Sequence, residues 1–263
     1  MEQSNFFKLI GTLVLGLGSA AAIAALQLQN FQTLEPDLTA TLTPEQATQT
    51  LTQETNDLNL LSRLPDLGFS NLIANWAYLK YLQYFGDIPA RRQTGFGLAP
   101  DYFDITINRD PHFLRAYLFL YNGVSLYAGQ PQGAVDLMAT GLSQLTPQTD
   151  PQAYYIWRYK ATAELLFLGD PQAARQSFQT AADWASHFDD PESQAVAAAS
   201  QRTADFLAQN PDSREAQIES WFNVFLYSFD PAVQELARER IDTLGGRLEI
   251  TSDGRATVRI PME

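Results

Sequence analysis

The sequence predicts an all-α fold: a helical-repeat solenoid with an N-terminal transmembrane helix and a small C-terminal β-hairpin. Three observations predict it. Proline recurs every twenty residues, at 111, 131, 151, 171, 191, 211 and 231, each time after Asp, Asn or Gln. Residues 9–26, LIGTLVLGLGSAAAIAAL, carry no charge. Residues 247–260 alternate apolar and polar on either side of Asp253-Gly254.

The N-terminal run comes first in the chain. An apolar stretch of about 18 residues is at the lower limit for a helix crossing a bilayer, and Phe6 and Phe7 extend it if Lys8 snorkels. A membrane segment through 6–26 is therefore expected, within an anchor region 1–29. Lys8 is the last basic residue before Arg63, and Glu35, Asp37, Glu45, Glu54 and Asp57 follow the run. The excess of positive charge on the near side places the N-terminus in the cytoplasm and the rest across the membrane. Ser19-Ala20-Ala21-Ala22-Ile23-Ala24 also offers small-residue cleavage sites, so a removed signal peptide is the rival reading. Gly16-Leu17-Gly18-Ser19-Ala20-Ala21 matches a dinucleotide fingerprint in letters only, because it leads into a polar linker and not a βαβ unit.

Residues 30–65 form an acidic linker. Its first part reads as a flexible tether. Thr43-Pro44-Glu45-Gln46 is then a capping box with proline at the first helical position. Ala47, Leu51, Leu58 and Leu61 follow at near-helical spacing, which predicts a short amphipathic helix over 44–62.

The proline ruler governs 66–244. An Asp side chain accepts a hydrogen bond from the free N–H groups at a helix start, and proline tolerates the first turn. A twenty-residue step holds about four helical turns and a short loop. The ruler therefore marks alternating helices, two in each forty-residue unit. The units also match in letters: GQPQGAVDLM at 129–138 returns as GDPQAARQSF at 169–178. Gly129 and Gly169 occupy the turn, Ala134 and Ala174 a small position, Met138 and Phe178 a large apolar one, and Gly141 and Ala181 the next small one. Gly86-Asp87-Ile88-Pro89-Ala90 is a looser copy, with its second helix after an insertion and Pro100, Phe103 and Pro111 in matching places. Arg214 stands where a third unit wants a small residue.

These positions resemble the tetratricopeptide repeat over residues 70–228. The resemblance implies pairs of antiparallel helices whose first members line a concave, partner-binding surface. Carried over through the glycine turns, Trp76, Lys80 and Tyr84, then Phe119 and Tyr127, then Tyr159 and Phe167 fall on that side. They are the candidate partner-binding residues. The rival reading is that these rings fill gaps between helices. The stretches FSNLIANWAYLKYLQYFGD and INRDPHFLRAYLF are similar to membrane-anchored tetratricopeptide-repeat proteins of cyanobacteria. That likeness implies a scaffold or assembly factor for a photosynthetic membrane complex, with its repeats in the thylakoid lumen or the periplasm.

The last segment, 245–263, begins at Gly245-Gly246, which ends the helix starting at Pro231. Leu248, Ile250, Ala256, Val258 and Ile260 then alternate with polar residues, a hairpin pattern.

Chemistry is sparse. The chain has no cysteine, so thiol chemistry and thiolate metal sites are excluded. His112 and His187 have no metal-ligand spacing. Asp101, Asp104 and Asp110 read as a helix start, a solvated face and a cap in preference to a cation site. Gly95-Phe96-Gly97 lacks the lysine of a phosphate loop. A formal charge of −13 opposes nucleic acid, and Arg91-Arg92 is too small a basic spot to reverse that. No catalytic residue, metal or cofactor is expected, and protein partners are. The alternatives are an exported soluble repeat protein or an enzyme accessory with a site in the insertion at 87–110.

Overall fold

In the computed structural model the chain divides into two compact units, residues 1–40 and 41–263. The residues described are 19, 42–209, 212–250 and 256–260. In the first unit Ser19 is helical and exposed. The rest of the expected span 6–26 lies outside the described residues, as do Asn210-Pro211 and the hairpin turn. Among the described residues no helix is long and apolar enough to cross a membrane.

The second unit is helical with one small sheet. Its first helix, α1 (Pro44–Arg63), starts as the capping box requires: Gln46 N–H donates to the Thr43 side chain and Thr43 N–H to the Gln46 side chain. Ala47, Leu58 and Leu61 are its buried residues. A linker with Leu67 and Gly68 at positive φ then leads into α2 (Ser70–Gly86). Asp87 caps the short α3 (Ile88–Thr94), and α4 (Ala99–Arg109) buries Phe103 completely. α3 lies within the segment 87–99 that the sequence marks as an insertion, and a helix follows it as expected.

Where the ruler's prolines fall depends on the unit. Pro131, Pro171, Pro191 and Pro231 open α6 (Pro131–Leu142), α8 (Pro171–Ala185), α9 (Pro191–Gln209) and α11 (Pro231–Thr243). Asp170, Asp190 and Asp230 accept backbone N–H bonds there, as N-caps do. Pro111 and Pro151 instead sit three residues ahead of α5 (Leu114–Leu120) and α7 (Tyr154–Leu166). Asp110 turns the chain by accepting from His112 N–H. The Asp150 carboxylate is taken by His112 Nδ1, at 2.9 and 3.0 Å, so it caps nothing.

α5 does not continue as an ordinary helix. Tyr121–Tyr127 forms a π-helical stretch, with Ala128 N–H bonded to the Gly123 carbonyl. Gly123 sits against the Tyr81 hydroxyl, where a Cβ would overlap it. The wider turn passes the helix over a tyrosine of α2.

Gly129 and Gly169 hold φ of 64° and 65°, the left-handed conformation that glycine adopts without strain. The matched small and large positions agree as well: Ala134, Ala174, Met138, Phe178, Gly141 and Ala181 are all buried. Gly141 is small because Tyr117 packs on it. α7, α8 and α9 pack in succession. The last pair, α10 (Arg214–Tyr227) and α11, turns back. α10 packs on the π-helical stretch and on α7, and Val233 and Gln217 close over Gly129 and Gly169.

β1 (Arg247–Ile250) pairs antiparallel with β2 (Ala256–Arg259), Leu248 opposite Val258. Two isolated strands are marginal in water. Here Leu248, Val258 and Ile260 pack on the main core, β1 touching α11 and β2 touching α10.

A groove on the second helix and the helix that fills it

α2 carries large apolar side chains on its outer as well as its inner face. Its inner face puts Ile73, Ala77, Tyr81 and Tyr84 into the core. Its outer face leaves Leu72, Trp76 and Leu79 more than half exposed, Trp76 at 55%. Between these faces lies a cleft of about 190 Å³, bounded by Trp76 and Lys80 of α2, Tyr102 of α4, and Leu58, Leu61 and Leu64 at the α1 end. α1 thus lies along the face that the sequence marks as a partner surface.

Ion pairs hold α1 beside its buried Leu58 and Leu61. Arg91 is wholly buried and donates from Nη2 to both carboxylate oxygens of Glu54, at 2.7 and 2.8 Å. Its guanidinium lies 3.7 Å from the centre of the Tyr84 ring, and Nη1 reaches the Gly95 carbonyl at 3.4 Å. Arg91 Nε finds no hydrogen-bond partner among the described residues. Burial pushes the Glu54 carboxyl above the usual carboxylate range, and its bonds to Arg91 recover only part of that. Lys80 adds a looser pair with Asp57 at 3.8 Å. Arg109 clamps the far end, donating to the carbonyls of Ser62 and Leu64 at 3.1 and 2.9 Å.

The seven candidate residues do not form one surface. Trp76 and Phe119 are exposed, with Phe119 at 40% and edge-on to Tyr78 of α2 at 5.7 Å. Lys80, Tyr127 and Tyr159 are half-buried, Tyr159 stacked with Tyr121 at 6.0 Å. Tyr84 and Phe167 are core: Tyr84 lies under Arg91, and Phe167 packs against Trp221. Trp76, Lys80 and Tyr84 are brought together around α1. Tyr127 and Phe167 are drawn under the returning C-terminal pair instead.

Two features were not evident in the sequence. Arg91 appears there only as half of a basic dipeptide, and its partner Glu54 is 37 residues away. Between α7 and α8, Lys160 bonds both Glu164 and Ser177, the latter at 3.1 Å, and Ser177 Oγ donates to Glu164 at 2.6 Å. A lysine beside a serine is nucleophile chemistry when the serine is reachable. Ser177 and Glu164 are nearly inaccessible, so the trio is a buried polar tie between two helices. Among the described residues no three His, Cys, Asp or Glu side chains converge as metal ligands.

Comparisons with protein-family models, curated proteins and solved structures return no match to this chain.

Proposed function

We propose that the chain is a membrane-tethered scaffold of tetratricopeptide-repeat type that works by binding a protein partner through its helical unit. The observation that carries this reading is the exposure of large apolar side chains on two touching helices: Leu72, Trp76 and Leu79 of α2, and Leu118 and Phe119 of α5, are solvent-facing. Large exposed apolar side chains on neighbouring helices are what an interaction surface is built from. A few residues carry most of the binding energy at such contacts, Trp prominent among them. The matched glycine turns and small positions of 129–141 and 169–181 support the repeat reading.

The tether follows from residues 6–26 and the linker after them. Its orientation, with the N-terminus cytoplasmic and the helical unit on the far side, rests on Lys8 and the acids beyond the run. A photosynthetic membrane complex in the thylakoid or an equivalent membrane remains part of the proposal through the resemblance of α2 and α5.

The test is affinity purification of the detergent-solubilised, tagged chain, comparing wild type with Trp76→Ala and Phe119→Ala. Loss of the same co-purifying proteins in both variants, at unchanged melting temperature, supports the reading. Retention of every partner in both sinks it. A reporter active only in the cytoplasm, fused at the C-terminus, is expected to be silent.

A further inference from the structure

Resting on the reading of this chain as a binding scaffold, we propose that α1 is a built-in competitor for its own groove. The groove takes an amphipathic helix with carboxylates at positions i and i+3 and leucines at i+4 and i+7. A partner helix of that pattern displaces α1.

The pattern is that of α1 itself. Glu54 meets Arg91, Asp57 meets Lys80, and Leu58 and Leu61 enter the cleft below Trp76 and Tyr102. Three and four residue steps place all four side chains on one helix face, the arrangement by which amphipathic helices are held in grooves. Arg91 is the specificity element. A wholly buried guanidinium stacked on Tyr84 needs a carboxylate opposite it, so an uncharged or basic residue at position i is rejected.

α1 is also an imperfect occupant. It leaves Leu60 and Trp76 more than half exposed on either side of an unfilled cleft. Of its twenty residues only Ala47, Leu58 and Leu61 are buried. A helix with a larger apolar residue facing Trp76 buries more surface in the same place.

The join to α2 is built to let α1 go. Leu67 holds φ of 47°, a conformation that non-glycine residues rarely adopt, and it is 81% exposed; Gly68 follows at 87°. The turn is held locally, Asp66 accepting from Gly68 N–H at 3.3 Å and from the Ser70 hydroxyl at 2.6 Å, so it does not need α1 in place, although release of α1 does take Leu58 and Leu61 out of the main core.

The test uses the full chain with a protease site introduced over 66–69, cut after purification. A fluorescent synthetic peptide of residues 43–64 is the probe. The cut chain is expected to bind it saturably and the uncut chain at least about tenfold more weakly, because the tethered copy competes at high effective concentration. A peptide carrying Glu54→Lys is expected to bind the cut chain at least about tenfold more weakly than the natural one. Placing that change in the peptide leaves the folding of the chain untouched.

Equal binding of the two peptides, or no binding to a cut chain whose melt is unchanged, overturns the proposal. So does unfolding on cleavage, which makes α1 part of the core, or conversion to a dimer that exchanges α1 between copies. These results are separate from the Phe119→Ala arm of partner capture, which tests the scaffold reading away from the cleft that Trp76 shares with α1.

Discussion

The ring of Phe167, at the end of α7, meets Trp221 of α10 edge to face, 5.8 Å between centres and at 86°. This contact closes the C-terminal helix pair over the turns of the preceding units, where an open surface was expected. Phe167 is therefore a core residue and Phe119 is not, although the sequence places them on one side. Phe167→Ala is expected to cost about 3–5 kcal/mol of folding stability. Phe119→Ala should cost well under half of that. Urea melts of the two variants decide it, and equal losses would put both rings in the core.

The ruler residues should divide into two kinds. Asp170 and Asp190 accept cap bonds at 2.8 and 2.9 Å, so alanine at either position is expected to cost about 0.5–2 kcal/mol. Asp150 bonds His112 and Thr149 instead. Most of the effect of Asp150→Ala should therefore disappear in a His112→Ala background, as a double-mutant cycle would show. Additivity of the two changes would mean that Asp150 acts on α7 directly.

Gly141 lies in α6, where alanine ordinarily gains about 1 kcal/mol of helix propensity. Here an added Cβ overlaps the Tyr117 hydroxyl and ring, and that tyrosine is wholly buried with its hydroxyl donating to the Pro111 carbonyl at 2.9 Å. Gly141→Ala is expected to lower the melting temperature, and Tyr117→Phe to restore part of it. A melting temperature raised by Gly141→Ala alone would refute the close approach.

Alkali should loosen the fold through its tyrosines. Burial pushes Tyr84 and Tyr121 up to about 12, and Tyr81, Tyr102 and Tyr117 further still. A group whose folded value is raised stabilises fully below its unfolded value, about 10 for tyrosine. The contribution is lost as pH rises from there through the folded value. Tyrosinate absorbance of the native chain should accordingly lag that of the urea-unfolded chain over this range, and coincident curves would place these rings in solvent.

How much could be read before the structure follows from the range of each interaction. A helix cap, a glycine turn and a strand alternation are settled within four or five residues, so Thr43 with Gln46, the Asp170 cap, Gly129, Gly169 and the two strands of the hairpin were legible, while their register, Leu248 opposite Val258, was not. The repeat of buried small positions was legible for the same reason, since each recurs at a fixed distance from its turn. The candidate groove was legible only in part. Helical spacing identifies the face of α2 that carries Trp76 and Lys80, but not what lies on that face.

That decision belongs to pairs distant in the chain. Glu54 and Arg91 are 37 residues apart, and Phe167 and Trp221 meet across two intervening helices. The sequence by itself determined the helical class, the helix starts at Pro44, Pro131, Pro171, Pro191 and Pro231, and the hairpin strands, because backbone hydrogen bonds and capping act locally; the starts after Pro111 and Pro151 it did not. Only the tertiary structure decided that α1 fills the first groove and that α10 covers Phe167. Those outcomes depend on burying one apolar face, or one charge, against another, and no local pattern names the partner face.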